Sequence, residues 1–381
     1  MAGRGGDGAA IREQVERAGF ERFQCFTIAH PLLLEIKDRL LKAIHSAEPG
    51  SLILVLGPTG VGKTTLRLKV EQLLTQELLP TLESDRSRIP FVSINTMASL
   101  NGNFSWKDHF ARLLRQMNEP LIENKLGGER NVMGQFTSAP RAGFELQYAV
   151  EQALGHRRPA AVFLDEAQHL GRIASGRKLA DQLDVIKSMA NQTKIVHVLL
   201  GTYELLAFRN LSGQLSRRSL DIHFCRYRCE NKQDLEIFRN IVLTFQSQMP
   251  WPELCDLSSS LDLLYERSIG CVGILKQWLT RALAAALADG KATLQNRHLE
   301  ETALQVSQCE RILIEAREGE ARLNEDDRSR SRLRNLLGVG EATVVPAVHQ
   351  IQRPRPIRAR RDCGRRNPKR DKVGVPKPAY A

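Results

Sequence analysis

The sequence predicts an α/β protein. A parallel five-stranded sheet lies between helices, followed by a small all-helical lid domain and a disordered basic tail. Three observations predict this architecture. Up to about residue 229, short apolar runs of strand length alternate with amphipathic helical stretches, the pattern of a sheet covered on both faces. Between the first run and the following helix sits Gly57-Pro58-Thr59-Gly60-Val61-Gly62-Lys63-Thr64, which fits the phosphate-loop pattern G-x-x-x-x-G-K-[ST] in full. From residue 231 the strands stop and helical spacing takes over.

In chain order, residues 1–10 are glycine-rich and expected to be disordered, and residues 11–26 are partly helical in pattern. Pro31 then opens a helix, where its missing N–H costs little; Leu33, Ile36, Leu40 and Ile44 follow at helical spacing. Residues 51–56 (SLILVL) form the first strand, and residues 63–74 the helix after the loop. Residues 90–94 are the second strand, ending at Asn95-Thr96. Ser105 caps a helix whose apolar face is Trp106, Phe110, Leu113 and Met117. Residues 120–141 read as a mobile insertion, and 144–154 as helix. Residues 160–164 are the third strand, and it delivers Asp165 and Glu166 at its carboxyl end. Leu179, Leu183, Ile186 and Met189 mark a helix. Residues 194–200 form the fourth strand, ending at Gly201-Thr202, and 220–224 the fifth. Four segments are expected: an extension (1–26), a nucleotide-binding core (27–229), a helical lid (230–317) and a charged tail (318–381).

Composition narrows the function classes. Apolar content of 42% and charged content of 26% are those of a soluble globular chain. No apolar run approaches the ~20 residues of a membrane span, and residues 1–10 lack a signal core, so a cytoplasmic protein without membrane contact is expected. The seven cysteines complete no paired metal pattern and read as structural thiols. The net charge of +12 is unevenly placed: residues 353–381 hold eleven Lys/Arg against two Asp, leaving +3 for the rest. An anionic partner such as nucleic acid is expected for that tail.

The loop and the acid pair carry the chemistry. Glycines let successive N–H groups point at phosphate oxygens, above a helix N-terminus that adds positive charge. Residues 57–65, including Thr65, are the candidate nucleotide contacts; Lys63 reaches the β- and γ-phosphates and the Thr64 hydroxyl ligates Mg²⁺. Asp165 completes the Mg²⁺ shell and Glu166 stands beside the attacking water.

These motifs, with Leu-Leu-Gly-Thr at 199–202, an arginine pair before the fifth strand and a helical lid, resemble an AAA+ ATPase over about residues 27–305. Within that class, Asp165-Glu166-Ala167-Gln168-His169-Leu170, Gly201-Thr202 and Gln214-Leu215-Ser216-Arg217-Arg218 resemble the TnsC/TniB group of bacterial transposition ATPases. The resemblance implies ATP and Mg²⁺ as cofactors. Thr202 matches the first sensor of the γ-phosphate, and Asn95 a residue that restrains the catalytic glutamate. Arg217, with Arg218 as the alternative, matches the arginine finger inserted into a neighbouring subunit's site. It further implies a homo-oligomer, ring or helical filament, on double-stranded DNA without sequence preference, with transposase and target-selector proteins as partners in a bacterial cytoplasm. Candidate DNA contacts are Lys107, Arg112, Arg172, Arg177 and Lys178; a solvated face is the other reading of Lys107 and Arg112. One departure is plain: after Gly270-Cys271-Val272 stands Gly273 where many AAA+ lids carry arginine, with Lys276 one turn on as a substitute. Three other readings stay open: an ExeA-like ATPase of a secretion or envelope system, a DNA scaffold that uses ATP structurally, and an origin-binding or helicase-loading AAA+ protein, although no winged-helix pattern with a basic recognition helix follows residue 305.

Overall fold

The structure is a computed structural model. It describes residues 5–97, 104–122, 128–130, 136–138, 142–171, 176–209, 219–251, 256–291, 293–323 and 327–339. The chain divides into two units, Met1–Asn324 and Glu325–Ala381.

The first unit holds the sheet. Its strands are β1 (Leu52–Leu56), β2 (Phe91–Asn95), β5 (Ala161–Asp165), β6 (Val196–Gly201) and β7 (Ser219–His223), while β3 (Gly128–Arg130) and β4 (Phe136–Ser138) form a separate antiparallel pair. The five run parallel in the order β2-β5-β6-β1-β7, with Leu56 level with Gly201 and His223, and Asn95 level with Asp165. β1 therefore ends between two neighbours, and the loop that leaves it opens at the carboxyl edge of the sheet. Alternation decides the two faces. Leu52, Leu54 and Leu56 face one core with Phe110, Val150 and Met189; Ile53 and Val55 face the other with Leu40, Val70 and Leu74.

The longer helices of this unit are α1 (Gly5–Cys25), which packs on the helical region, and, around the sheet, α2 (Pro31–Ser46), α3 (Lys63–Ser84), α4 (Trp106–Gln116), α5 (Ala142–Arg157) and α6 (Gly176–Thr193). Next come α7 (Lys232–Ser247), α8 (Leu261–Ser268), α9 (Val272–Ala288), α10 (Asn296–Thr302) and α11 (Val306–Leu323). Local chemistry explains several starts. His30 caps α2 by accepting from Leu33 N at 3.4 Å, with Pro31 behind it. Ser105 caps α4 by accepting from Asp108 N at 3.3 Å.

Four expectations need correcting. The N-terminal helix begins at Gly5, inside the stretch expected to be disordered, because α1 is anchored on α9: Phe23 is fully buried in the helical cluster with Phe245, Leu275 and Trp278. Once anchored, a helix extends at one hydrogen bond per residue fixed. α3 runs to Ser84 through Pro80 rather than ending near 74. Its buried face, Leu66, Val70 and Leu74, ends there, which is why the periodicity fades before the helix does. The insertion contains the β3–β4 pair. α11 continues to Leu323, past the expected lid boundary at 317, and the second unit contains α12 (Asp327–Leu336) inside the run expected to be unstructured. A helix satisfies its backbone locally and needs no apolar stripe to do so.

Candidate functional site

The loop at the end of β1 is shaped by close backbone approaches. Phe224 N donates to Leu56 O at 2.7 Å, and a Cβ on Gly57 would stand 2.3 Å from Phe224 O. Gly60 and Gly62 have φ of +75° and +113°, a region that favours glycine. α3 then starts directly, with Leu66 N donating to Gly62 O at 2.9 Å. Lys63 is 7% exposed, and its Nζ donates to Gly57 O at 2.9 Å and Pro58 O at 2.8 Å. Burial pushes its pKa down, opposed by the nearby Glu166 and Asp165 carboxylates.

β5 carries Asp165 to the same edge. Thr64 Oγ1 donates to Asp165 Oδ2 at 2.9 Å, and Glu166 N donates to Asp165 Oδ1 at 2.9 Å. Thr64 and Asp165 thus offer hard oxygens side by side, the donor set that Mg²⁺ takes from proteins when phosphates and water complete its shell. Glu166 is exposed and left-handed, at φ 53°. Thr202 follows β6. Its N–H donates to Gln168 Oε1 at 3.3 Å, and its Oγ1 is buried with no protein partner. A buried hydroxyl without a partner costs free energy unless a ligand oxygen satisfies it.

Sequence reading missed two residues. Arg67 Nε donates to Asp165 Oδ2 at 3.1 Å, while its Nη1 donates to Glu71 Oε1 at 2.6 Å and Ser93 Oγ at 2.7 Å. The i,i+4 spacing of Arg67 and Glu71 was the available signal; that both face β2 and β5 is a tertiary fact. Gln168 is the second: its Nε2 donates to Glu166 Oε2 at 2.5 Å. Asn95 stands exposed at the end of β2, and the bond to the Glu166 carboxylate comes from Gln168.

The lid helix α9 sits on the loop. Ile274 N donates to Gly60 O at 3.2 Å, and a Cβ on Gly273 would stand 2.4 Å from that same oxygen. Position 273 is glycine because two backbones meet there. Lys276, the expected substitute for the missing arginine, turns to α1: its Nζ donates to Phe23 O and lies 3.5 Å from the centroid of the Phe23 ring. Burial brings its pKa down to about 8. Between lid and core, Thr27, His30, Gly62, Thr65 and Lys276 line a crevice beside the start of α3.

A larger cleft of about 410 Å³ opens on the other side of the loop, between Thr59, Gln168 and Thr202 and the α11 residues Glu315, Gly319 and Arg322. Ala316 of α11 is buried in the sheet core, and two further contacts hold the helix there. A Cβ on Gly319 would stand 2.0 Å from Tyr203 Cγ, so the Tyr203 ring lies flush against the helix backbone. Glu320 lies 3.2 Å from both Arg226 Nε and Arg228 Nη2. The Arg226–Glu320 contact is not aligned as a hydrogen bond, so it acts as charge against charge.

Arg217, Arg218 and Arg172 lie outside the described residues, as do the side chains of Arg177 and Lys178 on α6. Lys107 is half-buried on α4. Arg112 is paired with Asp108 at 2.7 Å. Among the described residues, no helix is long and apolar enough to cross a membrane.

Comparison with known proteins bears on residues 46–208, which match the family model described as AAA domain. No curated protein matches the chain. Among solved structures, the chain is similar to the Aeropyrum pernix ORC2 protein in ADPNP–ADP complexes, at 16% identity and a TM-score of 0.48, covering 75% of this chain and 71% of that one. It is similar to the Aeropyrum pernix ORC1 protein in complex with DNA, at 17% identity and 0.47, covering 72% and 65%. A Walker-type ATPase of Pyrococcus abyssi matches at 17% identity and 0.42, covering 76% and 74%. Family match and fold together describe an α/β core similar to the AAA domain, within which lie the phosphate loop, Asp165, Glu166 and Thr202.

Proposed function

We propose that this chain is an Mg²⁺-dependent ATPase that oligomerises on double-stranded DNA and regulates transposition, in the manner of the TnsC/TniB proteins its motifs resemble. The observation that carries the ATPase half is the convergence at one sheet edge. Lys63 and Thr64 at the start of α3, Asp165 at the end of β5 and the unpartnered Thr202 hydroxyl after β6 meet around the loop that leaves β1. The DNA half is supported by the placement of charge, a net +9 in residues 353–381.

Each residue has a task in this reading. Backbone N–H groups of residues 59–64 cradle the phosphates, and Lys63 exchanges its two carbonyl partners for phosphate oxygens. Thr64 and Asp165 would hold Mg²⁺, which would supply positive charge against the phosphates. Glu166 takes the proton of the attacking water. The Thr202 hydroxyl donates to the γ-phosphate. The base occupies the crevice at Thr27, His30 and Thr65. Arg217 or Arg218, supplied by a neighbouring protomer, completes the site, so hydrolysis follows assembly and acts as a timer for disassembly.

The test is co-sedimentation with a random-sequence duplex, with and without a slowly hydrolysed ATP analogue, followed by electron microscopy of the pellet. Rings or filaments that need both nucleotide and DNA are expected. Lys63→Ala should lose them with ATP binding, and Glu166→Gln should bind ATP and remain assembled. Nucleotide-dependent oligomers indifferent to DNA would overturn the DNA half; unchanged ATP affinity in Lys63→Ala would overturn the whole.

A further inference from the structure

Gln168 lies in the short 3-10 turn after the acid pair and is 7% exposed. Its amide is held at both ends. Oε1 accepts from the Thr202 N–H at 3.3 Å, and Nε2 donates to Glu166 Oε2 at 2.5 Å. The first bond settles the second. A backbone N–H only donates, so the amide must turn its oxygen to Thr202 and its NH₂ to Glu166. Space for the amide exists because residue 201 is glycine; a Cβ there would stand 2.5 Å from Gln168 Oε1. Two further features lie at the ends of this connection. Glu166 keeps a left-handed backbone, φ 53°, which a glutamate holds only when its surroundings fix it. Thr202, whose N–H orients the amide, also has a buried hydroxyl without a protein partner.

We propose that Gln168 is the positioning residue for Glu166, and that it couples the carboxylate to Thr202 through a single amide. The inference rests on the ATPase reading above. A displacement of the β6 end, made when the Thr202 hydroxyl bonds a phosphate oxygen, passes through the Thr202 N–H to the Gln168 amide and so to the carboxylate. Asn95, which the family resemblance assigns to this task, is exposed at the end of β2, level with Asp165.

The experiment uses the full chain, with ATP binding followed by a fluorescent analogue and hydrolysis by phosphate release. Gln168→Ala should lower kcat roughly ten- to a hundredfold while nucleotide Kd stays within about threefold, because the lost hydrogen bond acts on the base and not on the phosphates. Gln168→Glu keeps an acceptor for Thr202 but cannot donate to Glu166, and should fall as far. Gly201→Ala displaces the amide and should lower kcat in the same way. The double variant Gly201→Ala/Gln168→Ala should be no slower than Gln168→Ala alone, since both break one connection. A merely structural role would instead lower thermal stability and nucleotide affinity, with additive losses. Wild-type kcat in Gln168→Ala, additivity in the double variant, or loss of turnover in Asn95→Ala alone would each overturn the proposal. A wild-type chain that binds ATP without hydrolysing it would sink the ATPase reading itself, before any variant is compared.

Discussion

Gly273 shows how one missing side chain sets the geometry of a site. Its Cα hydrogen side faces Gly60 O so closely that even a methyl group would stand 2.4 Å from that oxygen. The neighbouring Ile274 N–H bonds the same carbonyl at 3.2 Å. An arginine here would have to push the first turn of α9 off the phosphate loop. Gly273→Ala is therefore expected to cost about 1–3 kcal/mol of stability through overpacking, and Gly273→Arg at least as much. Thermal unfolding, with ATP binding measured in parallel, checks this. A Gly273→Arg variant with wild-type melting and stronger ATP binding would show that the lid moves freely and that the contact is incidental. The same reasoning explains Lys276. One turn along α9 its side chain leaves the loop and meets the Phe23 ring and carbonyl.

Among the elements, α11 has the largest consequence for the site. It returns from beyond the lid and forms one wall of the cleft at Thr59 and Thr202. Glu320, 7% exposed, sits between Arg226, 5% exposed, and Arg228. Removing one partner of a buried pair leaves the other charge uncompensated. Glu320→Ala is thus expected to cost about 3–5 kcal/mol, while Arg228→Ala, which removes a half-exposed partner, should cost under about 1 kcal/mol. Urea unfolding of the two variants tests the order. Equal small losses would mean that α11 is held by packing, at Tyr203–Gly319 and at Ala316, rather than by charge. Because Tyr203 follows Thr202 directly, α11 packs against the residue next to the unpartnered hydroxyl.

Across the whole molecule, buried histidines tie stability to pH. His109 and His197 are 3% and 0% exposed, and burial lowers their pKa values to about 3 and about 4. In the unfolded chain both return to about 6.5. Above that pH both rings are neutral in either state, and the contribution is constant. As pH falls below it, the unfolded chain binds protons that the fold refuses, so stability declines until the folded pKa values are reached. Each ring should cost about 1.4 kcal/mol per pH unit in that window. Melting temperature should accordingly drop between pH 7 and pH 5; a flat profile would mean that the rings are protonated in the fold. The two sit on different elements, α4 and β6, and share the core on one face of the sheet.

The sequence by itself determined the five strands to within two residues: β1, β5 and β6, buried on both faces, leave nearly uninterrupted apolar runs, and the edge strands β2 and β7 are part-polar segments. It also determined the place of the phosphate loop, since glycine at positive φ and a lysine at fixed spacing are local requirements. Asp165, Glu166 and Thr202 were legible as strand-end residues for the same reason. Tertiary structure alone decided what those residues touch. Arg67 reaches Asp165, Gln168 joins Glu166 to Thr202, Gly273 meets Gly60, and α11 closes on Tyr203. Each of these contacts links segments or orientations that periodicity does not encode. The start of α1 at Gly5 belongs with them, since its anchor, Phe23, is buried against helices more than two hundred residues downstream. Local conformational preference is written residue by residue; the partner across a long loop is set by which faces the packed sheet and lid leave to be covered.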